Sequence, residues 1–322
     1  MRVIDNECLK GLESPIVSIM NSLHNAIVNV APERKGEFNK TFDNFTLKYL
    51  NDSKCLCRIE MDKNTDTNTI ELDCALVEVI WCASYAHLRL YLSLQEKLKD
   101  KDLAKLSESE RSIDLNSPEY REIIKLLEWA KKKCLDSTGD LWPLDFPKPS
   151  ENPPKDSIIH FSNELCLCAV AFILHHELAH IRLKNETDED NIKEIERQAD
   201  IDAAEWILNK DNMEDKLKRR KRLLGIATAF IVLNMKGIYS RDFSDKHHPP
   251  SYDRLMHTLQ HFIDEDETLI WAFIAYALSV HISIARTSSP NKASSGFQTF
   301  LEWANAIANY LADFSSKNNL HQ

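Results

Sequence analysis

A cluster of two histidines and a glutamate in the run HHELAH is the part of this sequence best suited to chemistry. His176 and His180 are four residues apart, and Glu177 follows the first of them. On a helix, side chains four residues apart project from the same face, so both imidazoles can reach one zinc ion. Glu177 lies one step around the helix, where it can contact an attacking water without binding the metal. This H-E-x-x-H spacing predicts a zinc-dependent hydrolase with Glu177 as the general base.

A carboxylate pair follows one loop later, in the spacing E-x-x-x-D. Glu196 and Asp200 share a helix face, so one can bind zinc while the other accepts the remaining N–H of a ligating histidine. Two histidines and one carboxylate leave an open coordination position, which is the pattern of a catalytic zinc site. The alternative is a charged surface stripe made of Glu194, Glu196, Asp200 and Asp202. The position of the pair directly after HELAH favours the zinc interpretation.

A third polar segment, HHPPSYDR, occupies residues 247–254. Peptide hydrolysis needs a donor that stabilises the tetrahedral intermediate on the side opposite Glu177. His248, Tyr252 and Arg254 are the candidates for this catalytic role. The alternative is that the segment begins a helix and Arg254 pairs with a carboxylate, and the two interpretations are compatible.

The rest of the chain offers no second catalytic set. It contains no G-x-S-x-G nucleophile motif, no phosphate-binding glycine loop and no dinucleotide fingerprint. His175 is interpreted as a neighbour of the site rather than a fourth ligand, and His87 as a buried core histidine. Function therefore has to be predicted from the metal-binding residues.

Helices must position these side chains, and the composition favours them. Only six glycines occur in 322 residues, whereas sheet-rich folds use glycine in turns and bulges. Alternating apolar residues at 55–61 and 70–74 predict a β-hairpin. The prolines of residues 142–156 predict a stiff connection. The acidic residues 185–190 predict a loop, and residues 287–296 predict a linker. Apolar periodicity predicts helices at 15–30, 74–98, 118–133, 157–183, 191–209, 213–236, 250–262, 267–286 and 296–314.

Charge and cysteine content argue against nucleic-acid binding and against secretion. The formal net charge is −10, whereas nucleic-acid binders carry a surplus of lysine and arginine. The basic run at 216–222 is interpreted as the solvated face of a helix. Eight cysteines in no metal or disulfide pattern, and an N-terminus without an apolar signal segment, indicate the reducing cytoplasm. The apolar stretch 269–285 is diluted by His281 and two serines, which favours a buried helix over a membrane span.

The runs HHELAHIRL, EIERQADIDAAEWIL and HHPPSYDRL resemble metallopeptidases with a glutamate third ligand. The pattern is similar to membrane HtpX-like peptidases and, in its first parts, to the ImmA/IrrE regulators. With its length and cytosolic character, the chain resembles most the Lit family of bacterial phage-exclusion peptidases. The resemblance implies zinc ligands His176, His180 and Glu196, with Glu177 as the base. It also implies a suicide-defence enzyme that cuts a host translation factor, elongation factor Tu in the known case, when infection is sensed.

We therefore expect a mainly helical, zincin-like metallopeptidase domain with a small β-hairpin or sheet beside the active-site helix. The expected division is an N-terminal helical region (1–150), a catalytic core (151–262) and a C-terminal helical region (263–322). The expected function is zinc-dependent cleavage of a cytoplasmic protein, elongation factor Tu or another host protein, with a regulatory or trigger protein as a further partner. Two alternatives stay open: a zincin-fold sensor or binding module without turnover, and a membrane-associated HtpX-like quality-control peptidase.

Overall fold

Helices account for most of the chain, and a small sheet lies near its N-terminus. The computed structural model describes residues 2–4, 13–41, 45–51, 57–62, 67–98, 117–135, 141–183, 191–208, 215–243, 248–264, 267–285 and 299–319. The strands in this part of the chain are β1 (Arg2–Ile4), β2 (Phe45–Leu50), β3 (Cys57–Asp62) and β4 (Thr67–Asp73). The helices are α1 (Met20–Asn29), α2 (Lys35–Thr41), α3 (Cys74–Leu98), α4 (Arg121–Leu135), α5 (Ile158–Arg182), α6 (Ile192–Leu208), α7 (Lys216–Ser240), α8 (Ser251–Phe262), α9 (Thr268–Ile284) and α10 (Phe300–Asn319).

The helix predictions agree with the observed elements, and the prediction of a mainly helical fold is confirmed. The predicted helix at 74–98 has the same bounds as α3, and the predicted helix at 157–183 is α5 within one residue at each end. The proline-rich connection at 142–156 contains no helix, as expected. Short 3-10 turns, Pro15–Ile19 and Pro118–Tyr120, precede α1 and α4. The predicted loop at 185–190 and linker at 287–296 lie outside the described residues.

The predicted hairpin is present and belongs to a larger sheet. Strand β3 pairs with β4 in antiparallel register, from Cys57 opposite Leu72 to Asp62 opposite Thr67. The sheet order is β1-β2-β4-β3, and both β1 with β2 and β2 with β4 run parallel. Helix α2 and strands β1 and β2 were not predicted from the sequence, although alternate residues of β2 are buried, as in a half-buried strand. Strand β3 therefore forms one edge of the described sheet.

Helix α5 lies at the centre of the fold because every residue from Leu165 to Leu174 is apolar. It packs against α1, α3, α6 and α7. Its N-terminus follows the proline-rich connection and is capped by Ser157, whose Oγ accepts a hydrogen bond from the His160 N–H at 3.2 Å. Helix α7 approaches it closely at Gly225, where any Cβ would collide with the Cβ of Cys168. Glycine is required there because the two helix backbones are too close for a side chain.

Apolar helices are buried inside the protein. Helix α9, the predicted buried helix, exposes almost none of its side chains. Helices α5 and α7 are long and apolar enough to cross a membrane by length and composition alone. Within their most apolar windows, 67% and 83% of the residues are buried in the fold. Burial of this kind is what the core helices of a folded domain show.

The basic run at the start of α7 was predicted to be solvated, but its residue Arg222 is buried. Arg222 is 2% exposed and donates to the Glu33 carboxylate at 2.8 Å and to the Ile207 carbonyl at 2.7 Å. Lys218 and Lys221 pair with Glu33 and Glu164 at the surface. The run is therefore a solvated face only in part, because Arg222 points inward and ties α7 to the segment before α2.

Candidate active site

The last two turns of α5 bring His176, Glu177 and His180 to one end of the helical core. The Nε2 atoms of His176 and His180 are 3.2 Å apart, and the two rings are perpendicular. Two ring nitrogens that approach this closely converge on a common point. The i, i+4 spacing read from the sequence thus places both imidazoles on one face, as predicted.

Helix α6 adds a carboxylate to the same point. Glu196 Oε2 lies 3.3 Å from His176 Nε2, and Glu196 Oε1 lies 3.2 Å from His180 Nε2. The Glu196 side chain is buried, and its two oxygens face the two imidazoles. Burial alone would raise the pKa of Glu196, but hydrogen bonds from the two histidines hold it well below its usual range. A buried, ionised carboxylate facing two imidazoles is a group that could hold a metal ion.

Asp200 lies behind His176, one turn further along α6. Its Oδ1 accepts a hydrogen bond from His176 Nδ1 at 2.9 Å. In the form of the ring that can bind a metal, Nδ1 carries the only ring proton, and the lone pair of Nε2 is directed at the point shared with Glu196 and His180. Burial opposes the charged imidazolium, yet the carboxylates of Asp200 and Glu196 raise the pKa of His176 to about 9.

Arg254, near the start of α8, holds Asp200 in place. Its Nε and Nη2 atoms donate to the two carboxylate oxygens, both at 2.7 Å. Asp200 is fully buried and Arg254 nearly so. Burial would raise the pKa of Asp200, but the charge and hydrogen bonds of Arg254 lower it. The pair is therefore a buried, bidentate ion pair that orients the ring of His176.

Glu177 lies beside the three converging groups and lines an open cleft together with His176. Its side chain is half-buried, and burial raises its pKa above the usual range. The cleft has a volume of about 580 Å³. A carboxylate of raised pKa beside a candidate metal site is suited to accept a proton and return it near neutral pH.

The walls of the cleft come from five parts of the chain. Strand β3 contributes Cys57, whose thiol has a pKa raised by burial and by nearby Glu177. Helix α3, helix α5, helix α7 with the residues after it, and the start of α8 with the residues before it supply the other walls, which are Leu76, Phe172, Ile173, Leu233, Lys236, Gly237, Ser240, Asp242, Phe243, His248, Pro249, Ser251 and Arg254. The predicted small sheet thus lies beside the active-site helix, with its β3 edge next to Glu177.

The three residues predicted as donors occupy different positions. His248 lines the cleft, with its Nε2 3.5 Å from Glu196 Oε2 and its side chain 45% exposed. Arg254 also lines the cleft, but its guanidinium is engaged by Asp200, which is the alternative interpretation of this residue. Tyr252 packs edge-to-face against Phe243 and is not among the cleft residues.

The other two histidines singled out in the sequence are core residues. His175 is fully buried, stacks on Trp206, and its Nε2 lies 2.8 Å from the Ile27 carbonyl oxygen. His87 is buried, with its Nε2 2.8 Å from His281 Nε2. Neither belongs to the group that could bind a metal.

The contribution of α7 to the cleft was not predicted from the sequence, nor was the position of Cys57 on the β3 edge. Cys57, Leu233 and Gly237 come from elements that carry no catalytic motif. Their only signal in the sequence is apolar periodicity, which indicates burial but not which buried face borders a site.

Comparison with known proteins gives two matches that cover this site. A family model described as Peptidase U49 matches residues 70–274, which include every residue of the site from His176 to Arg254. The "Cell death peptidase" of Escherichia coli (strain K12) is 27% identical over 272 residues, which are 83% of this chain and 88% of that protein. No solved structure matches the chain.

Proposed function

The chain belongs to the Peptidase U49 family, and from that premise we propose that it is a zinc-dependent endopeptidase with a protein substrate and a zincin-like fold. The observation that carries the proposal is the convergence of His176, His180 and Glu196, with Glu177 beside them. Family membership supports proteolysis in general. The donor set supports a metal-dependent form of it.

The spacing of the three donor atoms fits a tetrahedral zinc ion. Zinc bonds of about 2.0–2.1 Å place neighbouring tetrahedral ligands about 3.3–3.4 Å apart. The two imidazole nitrogens are 3.2 Å apart, and each faces a different oxygen of the Glu196 carboxylate, at 3.3 Å for His176 and 3.2 Å for His180. Three protein ligands also leave one position open, as in catalytic zinc sites. When bound, zinc supplies a Lewis acid that activates water and polarises the scissile carbonyl group.

The residues around this centre have distinct roles in the proposed reaction. Glu177 accepts a proton from the attacking water and delivers it to the nitrogen of the leaving amine. His248 donates a hydrogen bond to the carbonyl oxygen as it gains negative charge, because its imidazole is accessible in the cleft. Arg254 and Asp200 are positioning residues, since they act through the ring of His176.

The β3 edge supports a protein substrate held in extended form. Within the described sheet, β3 pairs with β4 on one side, and its Cys57 borders the cleft next to Glu177. An extended peptide that adds to this edge gains main-chain hydrogen bonds and lies across the proton acceptor. Binding of this kind recognises backbone, so it suits a protein substrate better than a small molecule.

We propose that the protein kills its host cell and is held inactive until it is triggered. The relative in Escherichia coli bears the name "Cell death peptidase". From the resemblance of its motifs to the phage-exclusion peptidases, we propose that the chain acts in the cytoplasm as a phage-defence toxin, cleaves a host protein such as elongation factor Tu, and stays inactive until a trigger protein is present. Its negative charge argues against nucleic acid as a partner.

The proposal is tested by comparing protein N-termini in cells that express the wild type or Glu177→Gln, with and without infection. We expect a new N-terminus of a host protein in wild-type cells only, because the glutamine variant keeps the ligands but cannot accept the proton. Identical sets of N-termini under both conditions would favour the sensor or binding module without turnover.

A further inference from the structure

A second groove, of about 1190 Å³, lies away from the catalytic cleft and shares none of its residues. Its walls come from α1, from Leu88 of α3, and from the first halves of α5 and α7, whereas the cleft is lined by the second halves of α5 and α7. Helices α1 and α7 both pack on α5, so the groove lies between two neighbours of the central helix.

The floor of the groove is one face of α5. Phe161, Glu164, Leu165 and Cys168 have the i, i+3, i+4, i+7 spacing that places side chains on one side of a helix. Leu165 and Cys168 are buried, but Phe161 is 42% exposed, and Leu217 of the α7 wall is 78% exposed. The groove therefore presents large apolar side chains to water from two helices, which is typical of an interaction site.

The α7 wall carries an excess of positive charge in an unfavourable place. Six of the seven residues 216–222 are basic, and they fill the first two turns of the helix. The N-terminus of a helix already bears a partial positive charge, so basic side chains there are destabilising. Four carboxylates of the described residues lie close to these six cations, namely those of Glu33, Glu164, Asp215 and Glu267. A positive surplus is thus kept here in a chain of net charge −10, and local arrangements that cost stability are expected at functional sites.

The α1 wall is polar and uncharged. Asn21, Asn25 and Asn29 lie four residues apart on α1 and are exposed along the groove. Their carboxamides donate and accept hydrogen bonds, so they suit many polar groups, whereas the α7 wall suits carboxylates. A ligand that matches all three walls has an apolar ridge with acidic groups along one flank.

A helix of a partner protein fits these features better than a membrane or a nucleic acid does. A bilayer binds apolar side chains that protrude, whereas Leu165 and Cys168 lie at the bottom of a recess between helices. Nucleic acid needs a broadly basic protein, and this chain is acidic. An amphipathic helix presents a ridge of apolar side chains and can pack on α5 between α1 and α7.

We propose that this groove is a docking site for an amphipathic helix of a partner protein, with acidic residues along the flank that faces α7. Leu217 covers the apolar ridge of the bound helix. The inference is independent of the proposed proteolysis, because it uses no residue of the catalytic cleft.

The test is a selection on the full-length protein from a displayed library of random peptides, each about 18 residues long, which is enough for about five helical turns. Peptides that also bind the variant Leu217→Ser are removed in each round, and this substitution changes no charge. We expect the enriched peptides to have apolar residues at helical spacing and more Asp and Glu than Lys and Arg. Enrichment without the helical spacing or without the acidic excess, or no enrichment, overturns the proposal.

Fluorescence anisotropy then gives the Kd of an enriched peptide. Leu217→Ser should weaken binding by about tenfold or more, because an apolar contact is lost. The matched control is Leu144→Ser, which removes a leucine that is 96% exposed and outside the groove. It should change Kd by less than about twofold. Raising the salt concentration from about 50 mM to about 500 mM should weaken binding, because it screens the attraction to α7. Equal Kd values for the wild type and Leu217→Ser would place the peptide elsewhere and refute the assignment.

Two other results would assign the groove to a different occupant. Binding to vesicles of equal parts phosphatidylglycerol and phosphatidylcholine that Leu217→Ser abolishes would indicate a membrane surface. A dimer in analytical ultracentrifugation that Leu217→Ser dissociates would indicate a second copy of this chain. Either result overturns the proposal of a partner helix.

Discussion

The substitution Asp200→Asn removes one charge from a fully buried ion pair and barely changes the shape of the side chain. Asp200 accepts two hydrogen bonds from Arg254, both at 2.7 Å, and one from His176 Nδ1 at 2.9 Å. Asparagine keeps one oxygen for these donors and turns an amide NH₂ towards the others. The guanidinium of Arg254 then stays buried after losing its closest counter-ion.

Two magnitudes follow from this geometry. Breaking a buried ion pair by removing one partner costs about 3–5 kcal/mol of the free energy of unfolding. Loss of the carboxylate that orients a ligating histidine weakens metal binding by about 10–100-fold. The double variant Asp200→Asn with Arg254→Met should cost less stability than the sum of the two single changes, because no unpaired charge is left behind.

The chain offers a matched control on the same two helices. Arg197 on α6 and Asp253 on α8 form an ion pair of 2.8 Å, with side chains 32% and 42% exposed. Because exposed pairs contribute about 0–1 kcal/mol, Asp253→Asn should change stability by no more than that. It should leave the metal affinity unchanged, since Asp253 contacts none of the converging groups.

Urea unfolding of the metal-free proteins gives the stabilities, and competition with a chromophoric chelator gives the zinc affinities. If Asp200→Asn lowers the free energy of unfolding by less than about 1 kcal/mol and leaves the zinc affinity within about twofold of the wild type, the assigned role of the pair is wrong.

Three further outcomes follow from the structure. Gly225→Ala should destabilise the protein by about 1–3 kcal/mol, because the added Cβ meets Cys168. The control Gly36→Ala has open space around it and should be neutral or stabilising. Thermal unfolding of the two variants measures both effects. Burial lowers the pKa of His87 to about 3, whereas its pKa in an unfolded chain is 6.5. As the pH falls below 6.5, the unfolded state therefore takes up a proton that the folded state does not, and the free energy of unfolding decreases. The cost of His87→Asn in urea unfolding should therefore be about 1 kcal/mol smaller at pH 5.5 than at pH 7.5, and an equal cost at both would contradict the buried neutral imidazole. Because the apolar faces of α5, α7 and α9 are buried, cell fractionation should recover the protein in the soluble fraction, and recovery in the membrane would favour the quality-control alternative.

Local patterns made much of the helical fold and the metal-binding group predictable. The i, i+4 spacing of His176 and His180 depends only on helix geometry, and Glu196 was found because it follows on the next helix. Apolar periodicity likewise located α3 and α5, since long periodic segments leave little choice of structure.

Long-range relations explain what could not be predicted. Nothing local pairs Arg254 with Asp200, 54 residues away, so pairing with a carboxylate was one of two interpretations of Arg254 and its partner was not predicted. The parallel pairing of β2 with β4 joins segments separated by β3 in sequence. Arg222 lies in a basic run that predicts a solvated helix face. Its burial depends on an ion pair with Glu33, which is far away in the chain. Such contacts form only when the whole core assembles.

We propose that His176, His180 and Glu196 together bind one zinc ion. The decisive measurement is anomalous diffraction from crystals of the zinc-loaded protein, recorded on both sides of the zinc absorption edge. We expect one peak per chain, about 2.0–2.2 Å from Nε2 of both histidines and from a carboxylate oxygen of Glu196, and none in crystals of His180→Ala. A peak elsewhere in the wild type, or no peak between these residues, would contradict it.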